Sequence, residues 1–441
     1  MSTPSSVSGR RVVVTGLGAV TPLANSAGGT WSGLVAGRSG IGPITRFDAA
    51  TCPVRIAGEV RDFDPTAPLP APLYPRGADG EALTAAFSPK EARKFGRFTH
   101  LGSAAAVEAY ADSGLDAHRG TLKAERMGVS LGVGIGGLPE IEAMQTTLNT
   151  GGFRKISPFF ILQIAPNLLA GQVGLALNLR GPNMAVASAC ATSGHALGEA
   201  AEAIRRGQAD VMLAGGAEGA VTPLAIGAFA QMKALSTRND DPAGASRPYD
   251  QGRDGFVFSE GAVVFVLEER EQALARGAHI YAELAGYGAS ADAYHLTSLA
   301  PGAEGSQRSM LAALAQAGLP PTGVDVVSAH ATATPAGDGE EAQAIATVFA
   351  DQLAGLNVTA TKSMTGHLLG AAGGMSALAA VMSIHDGVVS PTINLDNPDP
   401  DIAALGLNLT PGAAVRRPVR AALANCFGFG GTNASLLFTR A

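Results

Sequence analysis

Cysteine is scarce in this chain, and its few cysteines lie far apart. The sequence contains three, Cys52, Cys190 and Cys426, and no two of them form a CxxC pair. This spacing gives no support to a disulfide framework or to a cysteine zinc site. We therefore predict a reducing, cytoplasmic compartment and no metal.

Charged residues are also few, and neither sign dominates. They make up 15% of the chain, and the formal net charge is −6, so the overall charge gives no reason to expect nucleic acid or a membrane surface as a partner. No apolar run reaches the roughly 20 residues that span a bilayer. The first 11 residues lack the apolar core of a signal peptide, so we expect a soluble protein.

Apolar residues and glycine are abundant instead. Hydrophobic residues make up 46% of the sequence and glycine occurs 57 times, which is typical of closely packed globular layers. Short apolar runs predict buried strands at 12–18, 127–134, 209–216, 261–267, 324–329 and 420–427. Alanine-rich stretches predict helices at 101–113, 194–206, 306–317 and 340–349. This alternation indicates an α/β fold, with two halves that meet near 260–280.

The first candidate for chemistry is Cys190, which lies between a small apolar strand and an alanine-rich helix. The unpaired N–H groups and the positive dipole end of a helix start favour the thiolate, which is the reactive form of cysteine. Free cysteine is also commonly buried and inert, so a structural role is the alternative for this residue taken alone.

Two histidines follow in the second half of the chain. His330 ends the apolar run at 326–329, and His367 precedes the glycine-rich segment 368–374. Imidazole accepts or stabilises charge near neutral pH. Either histidine alone is more often a core or capping residue, but together with Cys190 they indicate covalent catalysis.

Two glycine-rich segments are less specific. The segment 425–433 spaces glycines around Phe427 and Phe429, which suits either a mobile gate or a tight turn. The segment 132–137 superficially resembles a phosphate-binding loop. Because no acidic ribose-binding position or Walker lysine accompanies it, we predict no nucleotide cofactor.

Taken in order, these segments resemble the elongating β-ketoacyl-acyl-carrier-protein synthases of type II, within the thiolase superfamily. The resemblance spans nearly the whole chain, at 12–23, 154–159, 188–194, 209–218, 234–238, 247–260, 330–338, 362–373 and 427–433. It implies a thiolase-like duplicated five-layer α/β/α/β/α sandwich. The N-terminal half, 10–265, would carry the nucleophile, and the C-terminal half, 266–441, the two histidines and the glycine-rich gate loop. A homodimer is also implied, with a heterodimer as the alternative.

The chemistry that the resemblance implies is a decarboxylative Claisen condensation. Cys190 takes an acyl chain from the phosphopantetheine thioester of an acyl-carrier protein, and malonyl-carrier protein then enters. His330 and His367 hold the malonyl thioester oxygen and promote decarboxylation, and the enolate carbon attacks the acyl thioester. The backbone N–H groups of Cys190 and Phe427 form the oxyanion hole. Because the phosphopantetheine arrives on the carrier protein, no cofactor of the enzyme itself is expected.

Further residues receive roles by the same resemblance. Lys362 would support the electrostatics of the site through pairing with Glu341, since a buried unpaired lysine is costly. The remaining matched positions lie along the substrate path: Thr332 and Thr334 on the pantetheine arm, Ile135 and Phe229 on the acyl pocket, and Phe427 at its gate.

A set of basic positions matches or neighbours those that face the acidic carrier protein. Each alone would be an ordinary solvated residue, but a basic cluster on an acidic protein supplies local electrostatic steering. The positions are Lys90, Arg93, Lys94, Arg154, Lys155 and Lys233.

The sequence departs from the family pattern at several places. Ser328 and Ser376 replace an asparagine and a glutamate that are associated in relatives with a buried monovalent cation, so that ion is not carried over. Cys426 stands where serine is usual. The proline-rich segment 65–86, expected to be a surface excursion, is longer than usual.

Three alternatives differ in pathway or chemistry. A ketosynthase of a polyketide or aryl-polyene type pathway would use the same residues on another acyl chain. A non-catalytic chain-length partner would generally lack the nucleophile, and a degradative thiolase would use coenzyme A and a second active cysteine. Cys190 with both histidines therefore favours condensation in fatty-acid elongation.

Overall fold

The computed structural model describes residues 9–68, 77 and 80–441. The strands within these ranges are β1 Val12–Val20, β2 Gly42–Pro43, β3 Ile56–Ala57, β4 Met127–Val133, β5 Asn183–Met184, β6 Val211–Glu218, β7 Gly261–Glu269, β8 Ala282–Ala291, β9 Val326–Ser328, β10 Asn357–Thr359, β11 Val388–Val389, β12 Val415–Arg416, β13 Ala421–Gly428 and β14 Thr432–Thr439. The α-helices are α1 Ala27–Val35, α2 Pro89–Ala92, α3 Arg97–Asp112, α4 Leu138–Gly151, α5 Phe160–Ile164, α6 Asn167–Leu177, α7 Thr192–Arg205, α8 Pro223–Gln231, α9 Arg270–Ala275, α10 Glu304–Ala317, α11 Gly337–Val348, α12 Lys362–Thr365, α13 Ala372–Asp386 and α14 Pro400–Ala403.

The main sheet consists of two sets of five strands. Its order is β10-β9-β13-β14-β8-β1-β7-β6-β4-β5. Numbered within its own half, each set therefore runs 3-2-4-5-1 from its outer edge, with two parallel pairings followed by two antiparallel ones. The sets join where Val13 pairs with Glu283 and Val14 with Ala282. Because strand order and direction repeat, the fold is duplicated, as predicted.

The duplication extends to close helix packing on β1 and β8. A Cβ atom added at Gly18 of β1 would lie 1.9 Å from the carbonyl oxygen of Ala105 in α3. The same atom at Gly288 of β8 would lie 1.9 Å from the carbonyl oxygen of Ser309 in α10. Both helices therefore approach their strand more closely than any side chain would permit.

Three apolar cores separate the layers. Helices α7 and α13 pack side by side between the strand sets, whereas α3 and α6 cover the first set and α10 and α11 the second. Alternate strand residues enter different cores: Met212 faces the central one and Leu213 the core beneath α3 and α6. In the second half, Ala422 likewise faces the central core, and Leu423 faces the core beneath α10 and α11. The predicted five-layer sandwich is confirmed, and burial on both faces explains the continuous apolar runs.

The predicted strands and helices are all present within a few residues of their expected bounds. The patterns did not indicate β8 or β14. Of the expected surface excursion, residues 69–76, 78 and 79 lie outside the described residues. The chain passes from one strand set to the other between β7 and β8, and the boundary after residue 265 stays a prediction. In the ranges that the structure covers, no helix has both the length and the apolarity to cross a bilayer.

Candidate active site

Two strained turns bring the halves together at the amino ends of the central helices. A 3-10 turn at Ala189–Ala191 leads into α7, and one at Leu369–Ala371 leads into α13. Each begins with a residue of positive φ, 49° at Ala189 and 47° at Leu369, a conformation that L-residues seldom adopt. The surrounding packing therefore imposes both turns, and the first presents Cys190.

Cys190, His330 and His367 all line one cavity of about 660 Å³. Its lining is mainly apolar. The cavity also includes the other residues predicted along the substrate path: Ile135, Phe229, Thr332, Thr334 and Phe427. One pocket thus holds the predicted nucleophile, both histidines and the expected path of the acyl chain.

The thiol of Cys190 is buried, and this changes the expectation of a resting thiolate. Burial raises its pKa to about 11, while the Lys362 charge and a hydrogen bond from the backbone N–H of Phe429 oppose the rise. The helix start is therefore not sufficient to ionise the thiol, because desolvation outweighs it. At neutral pH Cys190 is therefore a thiol and not a thiolate.

The two histidines are neutral and lie close together. Their ring centroids are 5.5 Å apart, with the planes 85° from parallel. Burial and the charge of Lys362 hold both pKa values well below 6.5. The Nδ1 atom of His367 accepts the N–H of Leu369 at 3.2 Å, so the proton of this neutral ring is on Nε2. His367 can therefore donate a hydrogen bond to a substrate oxygen.

Lys362 and Glu341 do not form the direct pair that was expected. Glu341 accepts the N–H groups of His330 at 2.8 Å and Ala331 at 2.6 Å, and the side-chain amide of Asn425 at 3.2 Å. The Nζ atom of Lys362 is buried and has no hydrogen-bond partner among the described residues. The carboxylate therefore supports the loop that carries His330, and Lys362 acts on the site through its charge.

The loop after His330 is strained on both sides of Thr332. Ala331 and Ala333 have φ values of 31° and 65°. The N–H of Ala333 donates to Asp338 in α11 at 3.0 Å. The hydroxyl groups of Thr332 and Thr334 lie 3.1 Å apart at the cavity wall. Asp338 was not predicted, because only the folded loop brings it to this backbone.

A second unpredicted contact lies behind Cys190. The hydroxyl of Ser188 is 2.7 Å from Nδ1 of His195 in α7. The carbonyl of Ser188 accepts the hydroxyl of Thr432, at the start of β14, at 3.2 Å. The residue before strained Ala189 is therefore tied both to the central helix and to the glycine-rich hairpin. The adjacency of Ser188 and His195 to Cys190 was the only sequence signal.

The glycine-rich segment forms the tight connection between β13 and β14. The N–H of Gly430 donates to Leu296 at 2.7 Å, and Gly431 accepts the N–H of Asp292 at 2.8 Å. Phe427 is buried, with its ring centroid 5.7 Å from that of His330. The gating and oxyanion roles of Phe427 stay predictions.

The predicted docking residues lie at three places on the surface. Lys90 and Arg93 are exposed and Lys94 is half-buried around α2, and the side-chain amide of Gln163 in α5 donates to the Arg93 carbonyl at 3.1 Å. Elsewhere, exposed Arg154 and Lys155 lie on the 3-10 turn after α4, and exposed Lys233 lines the cavity mouth. Their joint action stays a prediction.

The positions associated with a cation in relatives are buried here. The Ser328 hydroxyl has no hydrogen-bond partner in the described chain, and that of Ser376 donates to the Ala329 carbonyl at 3.5 Å. Among the residues placed by the structure, no group of three or more His, Cys, Asp and Glu side chains is arranged to hold a metal.

Comparisons with known proteins agree over nearly the whole chain. Family models described as the N-terminal and C-terminal domains of β-ketoacyl synthase match residues 9–273 and 281–396. A protein of Coxiella burnetii named 3-oxoacyl-[acyl-carrier-protein] synthase 2 is 47% identical, over 98% of this chain and 99% of that protein. A protein of Vibrio harveyi with the same name is 46% identical over 98% and 99%.

Solved structures include a type II polyketide ketosynthase in complex with its acyl-carrier protein. It has a TM-score of 0.86 and 31% sequence identity, and the match covers 98% of this chain and 99% of that chain. The shared fold therefore includes chains that bind such carriers.

Proposed function

This chain belongs to the β-ketoacyl synthase family, and we propose that it extends an acyl chain by decarboxylative condensation with malonyl-acyl-carrier protein in fatty-acid elongation. The observation that carries the proposal is the meeting of Cys190 with two neutral histidines, His330 and His367, in one apolar cavity. The names of the relatives support the same reaction.

The first half-reaction loads the acyl chain. The sulfur of Cys190 attacks the carbonyl carbon of the carrier-bound thioester, and the pantetheine sulfur leaves with the proton that the thiol gives up. Because burial raises the pKa of Cys190 to about 11, the proton must move as the C–S bond forms. Backbone N–H groups at the start of α7 favour the negative charge on the thioester oxygen.

The second half-reaction forms the carbon–carbon bond. The malonyl thioester oxygen accepts hydrogen bonds from the two imidazoles, and the carboxylate leaves as carbon dioxide while its bonding electrons form the enolate. The enolate carbon attacks the acyl carbonyl on Cys190, and the sulfur leaves as a thiolate that takes up a proton, which gives the 3-oxoacyl thioester and the free enzyme. Neutral His367 suits this step because its Nε2–H is available to the oxygen.

We also propose a second copy of the chain as the stable partner. Helix α4 has no fully buried side chain in the single chain. Nearby surfaces expose Phe153 by 83%, Ile161 by 65% and Leu175 by 70%, and the edge strand β5 exposes both its residues. Exposed apolar surface of this extent marks an interface. Light scattering should give a dimer mass, and Ile161→Lys should lower it; a monomeric wild-type protein refutes this proposal.

We also propose that the partner in catalysis is an acyl-carrier protein and that the compartment is the cytoplasm. Purified enzyme should be incubated with a panel of acyl-carrier proteins and malonyl-carrier protein, with mass spectrometry of both protein and products. We expect an acyl adduct on Cys190 and a chain two carbons longer. Cys190→Ala is the control, and an adduct that persists in it refutes the assignment of the nucleophile.

A polyketide or aryl-polyene type pathway is the second candidate, favoured by the structural likeness to the polyketide ketosynthase. Repeated extension without removal of the 3-oxo groups in a reconstituted pathway would favour it. Extension that continues only after reduction and dehydration supports fatty-acid elongation.

A further inference from the structure

We propose that Glu218, to which no role has been assigned, is a positioning residue that links the acyl pocket to His367. The inference deepens the proposed condensation and rests on it. Glu218 ends β6 and is fully buried. The residues next to it in sequence give no sign of this role, because its hydrogen-bond partners lie far away in the chain.

One carboxylate gathers backbone N–H groups from two separate segments. Its Oε2 atom accepts from Gly134 at 3.0 Å and from Ile135 at 3.1 Å, and its Oε1 atom accepts from Gly136 at 3.3 Å. Oε2 also accepts the N–H of Gly370 at 3.3 Å. The first segment is the turn that carries the predicted pocket residue Ile135, and the second is the strained turn before α13.

The two segments touch where neither has a side chain. A Cβ atom at Gly370 would lie 2.4 Å from the nitrogen of Gly134, and one at Gly134 would lie 2.5 Å from Oε2 of Glu218. Leu369, the residue before Gly370, donates its N–H to Nδ1 of His367 at 3.2 Å. A movement of the turn at 134–136 can therefore reach His367 through Glu218, Gly370 and Leu369.

Glu218 also acts electrostatically on the nucleophile. Burial raises the pKa of Glu218 to about 7, and the hydrogen bonds from Gly370 and from the pocket turn oppose the rise. Burial is the main cause of the raised pKa of Cys190; Lys362 lowers that pKa, and Glu218 adds to the rise. The carboxylate of Glu218 therefore interacts with the turn at 134–136, with the turn at 369–371 and with the thiol of Cys190.

The test compares Glu218→Gln with a matched control, Glu108→Gln. Glu108 is also buried, with its pKa raised to about 7, and it accepts the N–H groups of Ala19 at 2.9 Å and Ala27 at 2.8 Å. Neither of those residues lines the cavity. In both variants glutamine keeps the shape but replaces one acceptor oxygen by a donor.

Three measurements are made on each variant, in a Cys52→Ser background because Cys52 is only partly buried. They are urea unfolding, the pH dependence of Cys190 alkylation by iodoacetamide, and condensation rates with carrier-bound chains of about 4 to 16 carbons, a range that tests the filling of a packed pocket. We expect Glu218→Gln to shift the alkylation profile to lower pH, because a charge that raises the thiol pKa is lost.

The same variant should slow condensation at least about tenfold, or about 1.4 kcal/mol, and change its dependence on chain length. Glu108→Gln should lower the stability but leave the alkylation profile and the condensation rates unchanged. If both variants lose stability equally and keep the wild-type profiles, the proposed role of Glu218 is wrong. If instead the wild-type protein extends no carrier-bound chain, the proposed function fails.

Should Glu218→Gln not fold, hydrogen exchange on the wild-type protein provides the second test. Acylation of Cys190 with a chain that reaches Ile135 should change the protection of the amides at 134–136 and of Gly370 together. The amides of residues 19 and 27 serve as the control. A change at one segment without the other overturns the proposed link.

Discussion

Lys362→Met should make the protein more stable and less reactive. The lysine is 3% exposed, and its Nζ atom has no hydrogen-bond partner in the described chain. Taking a single charge out of water costs several kcal/mol even after relaxation, and a methionine of similar volume carries no such cost. Glu341 loses a favourable charge but keeps its three hydrogen bonds. Because the loss at Glu341 offsets most of the desolvation that is relieved, we expect a net gain of about 1 kcal/mol.

The lowered pKa of Lys362 also predicts how the stability difference between the two proteins changes with pH. Burial lowers the pKa of Lys362 from 10.5, so between the lowered value and 10.5 the unfolded chain binds more protons than the folded one. Stability of the wild-type protein must rise with pH across that window. The advantage of Lys362→Met should be largest near pH 7 and shrink as the pH approaches 10.5. Urea unfolding at several pH values measures it.

Reactivity should change in the opposite direction. The Lys362 charge lowers the pKa of Cys190, which is still about 11, so at pH 8 about one thiol in a thousand is ionised. Without the lysine this fraction falls further, and alkylation of Cys190 should slow by about tenfold for each unit of rise in the thiol pKa. A Lys362→Met protein that is less stable at pH 7, or that alkylates as fast as wild type, refutes the reasoning.

Three further outcomes are expected. Charge reversal at Lys90, Arg93 and Lys94 should weaken carrier-protein binding and reduce its salt dependence, because exposed charges are screened over about 8 to 10 Å; unchanged titrations at two salt concentrations would exclude this surface. Ile135→Phe should block acylation by long chains and spare short ones, since overpacking costs about 1 to 3 kcal/mol; uniform slowing would point to damage near the thiol. Gly288→Ala should lower the free energy of unfolding by about 1 to 3 kcal/mol or more, because its Cβ would lie 1.9 Å from the Ser309 carbonyl; an unchanged urea midpoint would contradict this packing.

The strands that could be predicted are those buried on both faces. Their side chains alternate between two apolar cores, so they appear as continuous runs such as 12–18 and 261–267. Strand β8 escaped this test because Glu283 interrupts its apolar run and its last three residues are exposed or half-buried. A signal was nonetheless present: Gly-x-Gly-Ala occurs at 16–19 and again at 286–289, the equivalent positions of the two halves.

The predicted site residues came from short segments, whereas their protonation states depend on distant ones. Cys190 and His330 were recognisable beside small and apolar neighbours. The thiol pKa of about 11 reflects burial and the charges of Lys362 and Glu218, which no segment around Cys190 contains. The helix end alone favours a thiolate, but desolvation by the whole cavity outweighs that dipole.

The duplicated fold also explains why only one half carries the proposed nucleophile. Cys190 and Gly370 occupy the same place in their turns, each after a residue of positive φ and each within a 3-10 turn that leads into a central helix. A side chain at Gly370 would collide with the backbone of Gly134, at 2.4 Å from its Cβ. Position 370 must therefore be glycine for the second turn to pack against the turn at 134–136. The second turn instead holds His367 through the N–H of Leu369, and only the first turn has room for a side chain that can act as the proposed nucleophile.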